Sequence, residues 1–217
     1  MGKPAEASKV PYLVRIFIDD GMCGGGLISK TAILTAAHCT TVKNLSRYDI
    51  REGKNTQEEM DSANELIAVK VHSHENFTTQ PKRADIAIIR IRPNHNLKVF
   101  LKVDTTGRAK IGTKLHLEGW GVTDVNGEVS SLNKLDQRVV SNDKCKDGPA
   151  AFDSTSFFCA AAKKQGSTAC SGDSGSPLVL GTTIVGLVSH GDTMCRKSAT
   201  AFTKVSSYAR WISQNMK

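Results

Sequence analysis

The sequence predicts an all-β protein that ends in a single α-helix. Short aliphatic and β-branched runs recur along the 217-residue chain, separated by residues that tolerate tight turns. The runs that predict strands cover residues 12–18, 26–28, 32–35, 66–71, 86–91, 114–118, 178–180 and 183–188. Over residues 204–216, Val205, Tyr208, Ile212 and Met216 recur at helical spacing beside Trp211, which predicts a terminal amphipathic helix.

Composition and charge exclude several classes of protein. No run of about 18 apolar residues predicts a membrane span, and the first ten residues are too polar for a signal-peptide core, so an export signal is expected to be missing. The net charge of +8 is spread along the chain rather than concentrated in a stripe. We therefore expect neither a nucleic-acid nor a membrane partner.

Six cysteines predict disulfides rather than a zinc site. They include no Cys-x-x-Cys pair, and six cysteines allow 15 pairings. Disulfides imply an oxidising compartment, so we expect a secreted or extracellular protein, stored in granules or released into a gut lumen. Sequons at Asn44 and Asn76 agree with export.

Three short motifs supply the groups that acyl transfer needs. His38 follows Leu-Thr-Ala-Ala, Asp85 opens the run Asp-Ile-Ala-Ile-Ile, and Ser174 lies in Gly-Asp-Ser-Gly. A serine hydroxyl needs an imidazole to take its proton and a carboxylate to orient that imidazole. We assign Ser174 as nucleophile, His38 as general base and acid, and Asp85 as the orienting carboxylate. The amides of Gly172 and Ser174 are predicted to form the oxyanion hole.

The serine motif also half-matches the nucleophile elbow of α/β-hydrolases, which would make the protein an esterase. Ser176 stands where that motif has its second glycine. The chain order of His38, Asp85 and Ser174 argues against it, because an α/β-hydrolase places its acid and histidine after the serine. The all-β pattern argues against it as well.

With these motifs in place, the chain resembles the chymotrypsin-like serine proteases over nearly its whole length. Besides the three motifs, it carries Cys-Gly-Gly at 23–25, Gly-Trp-Gly at 119–121 and Phe-Thr-Lys-Val at 202–205, in the family's order. The resemblance implies one peptidase unit made of two antiparallel six-stranded β-barrels, at about residues 10–100 and 101–203, and a helix over 204–217. His38 and Asp85 would come from the first barrel and Ser174 from the second. The segment 97–111 is the candidate crossover.

The resemblance also implies disulfides and the absence of a cofactor. The pairs would be Cys23 with Cys39, Cys145 with Cys159, and Cys170 with Cys195. Some relatives bind calcium through a surface loop, but this chain has Lys54 and Asn64 near the ligand positions. We expect no calcium or other metal, and we interpret Glu58, Glu59 and Asp61 as a solvated loop.

The specificity pocket departs from that of trypsin. Its floor position, six residues before the nucleophile, is Thr168, where trypsin-like enzymes carry Asp, so an Arg or Lys side chain would enter unpaired. Gly191 leaves the entrance open, and Thr200 places a branched side chain on the opposite wall. We predict a small to medium uncharged side chain before the cleaved bond. Alternatively, Thr168 and Thr200 simply hydrogen-bond each other or water.

Two further departures concern substrate binding and activation. Ser189, His190 and Gly191 resemble the segment that pairs with the substrate backbone, but His190 replaces the usual Trp. Asp173 is the carboxylate that in this family pairs with the new amino terminus of the mature enzyme. The chain as given begins Met-Gly-Lys-Pro instead. We expect a start that has been trimmed, a zymogen-like protein, or another partner for Asp173.

The sequence therefore predicts a monomeric, secreted serine endopeptidase that acts through an acyl-enzyme. Its partners would be peptide or protein substrates and protein protease inhibitors. The alternative is a catalytically silent or zymogen-like cationic homologue that serves as a binding or regulatory protein.

Overall fold

A computed structural model describes residues 2–80, 82–93, 98–123, 131–145, 152–164, 166–192, 194–195 and 199–216. The strands of the described residues are β1 Lys3–Pro4, β2 Leu13–Ile18, β3 Gly21–Ser29, β4 Ala32–Thr35, β5 Tyr48–Glu52, β6 Ala68–Ser73, β7 Thr78–Thr79, β8 Lys82–Arg83, β9 Ala87–Ile91, β10 Lys102–Val103, β11 Lys114–Gly119, β12 Asn133–Val140, β13 Phe157–Ala162, β14 Pro177–Leu180, β15 Thr183–Gly191 and β16 Ala199–Lys204. The α-helices are α1 Gln57–Asp61 and α2 Ala209–Asn215.

The first half of the chain forms a six-stranded antiparallel sheet in the order β5-β2-β3-β4-β9-β6. Its two edges approach each other where Leu66 N donates to Ile50 O at 2.7 Å and Arg51 forms a bridge with Glu65. Aliphatic side chains such as Ile33 and Ile88 are fully buried inside this sheet. Their removal from water supplies the main stabilising term.

The second half forms a closed six-stranded barrel. Its strands follow the order β12-β11-β14-β15-β16-β13, and β12 also pairs with β13. The short β1 adds to the outer edge of β12, and β10 pairs in parallel with β15. Leu178, Val185 and Phe202 lie in the core of this barrel.

The predicted terminal helix is present and packs on the core of the first sheet. A 3₁₀ turn over Val205–Tyr208 leads into α2. Val205 and Ile212 are buried, and the ring of His74 lies 5.0 Å from that of Trp211. The structure thus confirms the predicted all-β class with a C-terminal helix.

Some elements differ from the prediction. Eight strands were not predicted, namely β1, β5, β7, β8, β10, β12, β13 and β16. Strand β6 lies two residues later than the predicted 66–71. Helix α1 was interpreted as a solvated acidic loop. It begins with a capping box, in which Glu59 N donates to Thr56 Oγ1 at 3.2 Å and Glu59 Oε2 accepts from Thr56 N at 3.4 Å. The predicted crossover is described only from residue 98 onward.

Candidate active site

His38 and Asp85 form a hydrogen-bonded pair at neighbouring strand ends. His38 lies in the 3₁₀ turn after β4, Asp85 lies just before β9, and Thr35 of β4 pairs with Ala87 of β9. The His38 ring Nδ1 lies 2.8 Å from Asp85 Oδ2, and the His38 amide donates to Oδ1 at 2.9 Å. The carboxylate therefore fixes both the backbone and the ring of His38.

Asp85 is fully buried yet held in its ionised form. Burial raises its pKa, but hydrogen bonds and nearby cations outweigh burial and lower the pKa to about 2. Ser189 of β15 donates its hydroxyl to Oδ2, and the hydroxyl of Thr203 on β16 donates to the Asp85 carbonyl at 2.7 Å. Two strands of the second barrel thus anchor a residue of the first sheet.

The loop before β14 that carries Ser174, residues 170–176 and called the Ser174 loop below, forms hydrogen bonds with both halves of the molecule. The amide of Gly24 on β3 donates to Ser174 O at 2.7 Å, and the amide of Gly175 donates to Val188 O at 2.9 Å. Gly175 has a φ of +76°, and a Cβ added there would lie 3.0 Å from Ala36 N. Only glycine fits this close approach, which packs the Ser174 loop against the segment that carries His38.

The predicted oxyanion donors lie in the same loop. Within the described part of the chain, the amides of Gly172 and Ser174 donate no hydrogen bond to another protein group. Amides without a protein acceptor have the chemistry that a developing oxyanion requires.

Asp173, the residue before Ser174 in this loop, has a buried side chain that accepts hydrogen bonds from two backbone amides. Gly121 N donates to its Oδ1 at 2.9 Å, and Cys170 N donates to its Oδ2 at 3.0 Å. A Cβ on Gly121 would collide with this carboxylate, so the pocket needs glycine there. Burial raises the pKa of Asp173 to about 6, although the two amides lower it.

The specificity-pocket threonines contact each other, as the simpler alternative proposed. Thr168 Oγ1 lies 2.9 Å from Thr200 Oγ1, and Thr200 is buried. Thr200 on β16 pairs with Gly191 on β15. The disulfide between Cys170 and Cys195 joins the segment that follows Thr168 to the segment that precedes Thr200. Each hydroxyl therefore has the other as a hydrogen-bond partner.

His190 sits beside the Asp85 system. Its Nδ1 lies 3.1 Å from Ser189 Oγ, and its ring meets Phe157 edge-on with centroids 5.0 Å apart. His190, which the sequence places in the position of the usual Trp, is thus a half-buried imidazole in contact with an aromatic ring.

The three disulfides are those that the resemblance implies: Cys23 with Cys39, Cys145 with Cys159, and Cys170 with Cys195. The sulfur atoms of Cys23 and Cys39 and a ring nitrogen of His38 lie within 4.8 Å of one another. Because both sulfurs belong to one disulfide, this cluster has no thiolate to offer a metal.

One contact of the site was not predicted from the sequence. Lys82 places its Nζ 3.5 Å from Asp85 Oδ2 and donates to Ser189 O at 3.3 Å. No motif marked Lys82, because a single lysine three residues before an aspartate is a common surface pattern.

Comparisons with known proteins agree with this geometry. The model of the family described as Trypsin matches residues 1–212. Chymotrypsin-2 of Vespa crabro is 32% identical over 99% of this chain and 98% of its own, and human serine protease 1 is 31% identical over 97% and 86%. The structure of neuropsin, a serine protease of mouse brain, superimposes with a TM-score of 0.86 at 27% identity, covering 100% of this chain and 99% of that one.

The chain belongs to the trypsin family of serine proteases. Its relatives include trypsins as well as chymotrypsins. Among the described residues, no helix is long and apolar enough to span a membrane.

Proposed function

We propose that this protein is an active serine endopeptidase that hydrolyses peptide bonds through an acyl-enzyme. The observation that carries the proposal is the buried Asp85 carboxylate bonded to the His38 ring and amide. A structural histidine would not need a fully buried carboxylate held in its ionised form, because burying such a charge is costly.

In this mechanism Ser174 Oγ attacks the peptide carbonyl carbon, and His38 Nε2 takes the proton of the Ser174 hydroxyl. The carbonyl oxygen becomes an oxyanion near the amides of Gly172 and Ser174. His38 then passes its proton to the leaving amine, the C–N bond breaks and the acyl-enzyme remains. Water, deprotonated by His38, releases the acid product and restores Ser174. Asp85 stays ionised throughout and stabilises the imidazolium.

The best-supported substrate has a small to medium uncharged residue before the cleaved bond. The hydroxyls of Thr168, on the proposed pocket floor, and Thr200, on the wall, are hydrogen-bonded to each other. The charge of an Arg or Lys side chain would therefore find no carboxylate at Thr168 to pair with. The branched side chain of Thr200 shortens the cavity. The backbone of Ser189, His190 and Gly191 would pair with an extended peptide.

The biological setting follows from the same features. Three disulfides suit a secreted enzyme that works outside the cell, and we propose that it works as a monomer. A site that pairs with an extended peptide backbone also suits protein inhibitors, which present such a segment. We propose both protein substrates and protein inhibitors as partners.

Covalent labelling tests catalysis. A fluorophosphonate should modify wild-type protein on Ser174, and labelling should fall to background in Ser174→Ala and His38→Ala. Ser171→Ala, which removes an exposed serine of the same loop, is the matched control and should label normally. A folded wild-type protein with no adduct would instead establish the alternative, a catalytically silent or zymogen-like homologue that binds without turnover.

A peptide-library cleavage profile tests the pocket. Wild type should cleave after small and medium uncharged residues. Thr200→Gly should raise kcat/KM for Phe or Tyr at that position by about tenfold or more, because even one methylene-sized space in such a pocket contributes roughly 1–3 kcal/mol. Thr200→Ser, which keeps the hydroxyl, should change it less. Preferred cleavage after Arg or Lys would show that the interpretation of Thr168 is wrong.

A further inference from the structure

Lys82 lies on a two-stranded hairpin beside the Asp85 carboxylate. The hairpin pairs β7 with β8, and β8 consists of Lys82 and Arg83. The Lys82 side chain is only 23% exposed, whereas Arg83 is exposed to solvent. Neighbouring residues of a strand point in opposite directions, so this hairpin aims one cation at the site and one away from it.

The ammonium of Lys82 joins two groups of the site. Its Nζ lies 3.5 Å from Asp85 Oδ2 and donates to the carbonyl of Ser189 at 3.3 Å. The carbonyl belongs to β15 of the second barrel, and the carboxylate precedes β9 of the first sheet. A lysine that holds both is restrained by two partners, unlike a free surface lysine.

Asp85 Oδ2 therefore serves three donors. They are the ring nitrogen of His38 at 2.8 Å, the hydroxyl of Ser189 and the ammonium of Lys82. Because Lys82 and His38 share one oxygen, their nitrogens lie no more than about 6 Å apart. A fixed positive charge at that distance opposes a second positive charge on the imidazole.

The groups that face this system come from each element packed around it. Asp85 and Lys82 come from the β8–β9 segment, Ser189 and the titratable His190 from β15, and the neutral disulfide between Cys23 and Cys39 from β3 and the turn that carries His38. The hydroxyl of Thr203 on β16 donates to the Asp85 carbonyl, and Tyr208, in the 3₁₀ turn before α2, is a further titratable group beside Asp85. Asp85 is the one carboxylate among these groups. Lys82 is thus a cation that shares the Asp85 carboxylate with the His38 ring.

We propose that Lys82 is a positioning residue of the reaction, which clamps Asp85 to Ser189 and places a positive charge that opposes a second one on the His38 ring. The inference rests on the proposed peptidase function. It concerns Lys82 of this chain rather than the three motif residues. Its consequence is that removing the charge of Lys82 changes the pH dependence of catalysis.

The test compares three variants in two measurements. Lys82→Met removes the charge, Lys82→Arg keeps it, and Arg83→Met removes the neighbouring exposed charge as a matched control. The first measurement is the pH profile of kcat/KM on a peptide substrate, whose acid limb reports the essential base of the free enzyme. The second is the low-field ¹H NMR signal of the proton between His38 and Asp85, followed against pH without substrate.

In Lys82→Met we expect the acid limb and the NMR transition to move to higher pH by about 0.5 to 1 unit, as a charge at this distance predicts with partial solvent screening. Lys82→Arg and Arg83→Met should follow wild type. The proposal is overturned if Lys82→Met matches wild type, or if Arg83→Met shifts as much. If the wild type does not turn over, the peptidase function fails, while the NMR transition still decides the role of Lys82.

Discussion

The candidate active site contains two buried aspartates, Asp85 and Asp173, and their pKa values are shifted in opposite directions. Asp85 is 0% exposed and its pKa is lowered to about 2, whereas Asp173 is 9% exposed and its pKa is raised to about 6. Burial disfavours the charged form of both. The difference therefore comes from their hydrogen-bond donors.

Asp85 receives the His38 ring, a hydroxyl and an ammonium in addition to a backbone amide. Asp173 receives only two backbone amides from the described residues. Cations and hydroxyls thus overcome the burial penalty, and two amides do not. The orienting carboxylate is ionised at any working pH, while the one under the nucleophile loop is sensitive to protonation near pH 6.

The largest expected effect comes from removing the charge of Asp85. Asp85→Asn keeps the shape of the side chain but removes its charge. An NH₂ group in place of Oδ2 donates rather than accepts, so His38 loses the acceptor that fixes its tautomer. We expect kcat/KM to fall by roughly 10³- to 10⁴-fold with the fold retained. Asp20→Asn, at an exposed turn, should be silent. Steady-state kinetics on a peptide substrate measure both, and a loss below tenfold would separate Asp85 from the chemistry.

The opposite shifts also predict opposite dependences of stability on pH. The folded protein keeps a proton on Asp173 between about pH 4 and 6 that the unfolded chain releases, so stability falls as pH rises through that range. Asp173→Asn should gain about 2 to 2.5 kcal/mol relative to wild type between pH 4 and pH 7, from a pKa shift of about two units. Any loss of an amide hydrogen bond is the same at both pH values and does not affect this difference.

Urea unfolding at the two pH values measures it, and Glu118 provides the necessary control. Glu118 is also buried, and its pKa is raised to about 7, mainly by burial and against the opposing charge of Lys134. Glu118→Gln should remove a separate part of the slope that extends to pH 7. If Asp173→Asn and wild type lose stability in parallel, the Asp173 carboxylate is not protonated in the folded protein.

The sequence predicted the parts of the site that are local. Chain order and short motifs were enough to select His38, Asp85 and Ser174, and the structure places the first two in hydrogen-bond contact. The strand Ala32–Thr35 was predicted to the residue. Strand β12 was missed because its sequence, Asn-Lys-Leu-Asp-Gln-Arg-Val-Val, is mostly polar and its buried positions are few.

Contacts between distant residues could not be predicted in the same way. Lys82 reaches Ser189 across 107 positions of sequence, and the Ser189 hydroxyl reaches Asp85 across 104. Neither contact has a periodicity or a spacing to detect, because both arise only when the two halves pack together. The mutual hydrogen bond of Thr168 and Thr200 was anticipated only as an alternative, since it depends on side-chain direction.

The smallest expected effect tests how many donors Asp85 needs. Ser189→Ala removes one of three donors to Oδ2 and leaves the His38 and Lys82 contacts in place. Because hydrogen bonds to a charged group contribute about 1.5–3 kcal/mol and the remaining donors can compensate, we expect kcat/KM to fall by about tenfold or less. Ser207→Ala, which removes an exposed hydroxyl bonded to the Thr155 carbonyl, is the matched control. A loss close to that of Asp85→Asn would mean that Ser189 holds the carboxylate in place, and that the cations alone do not explain why it differs from Asp173.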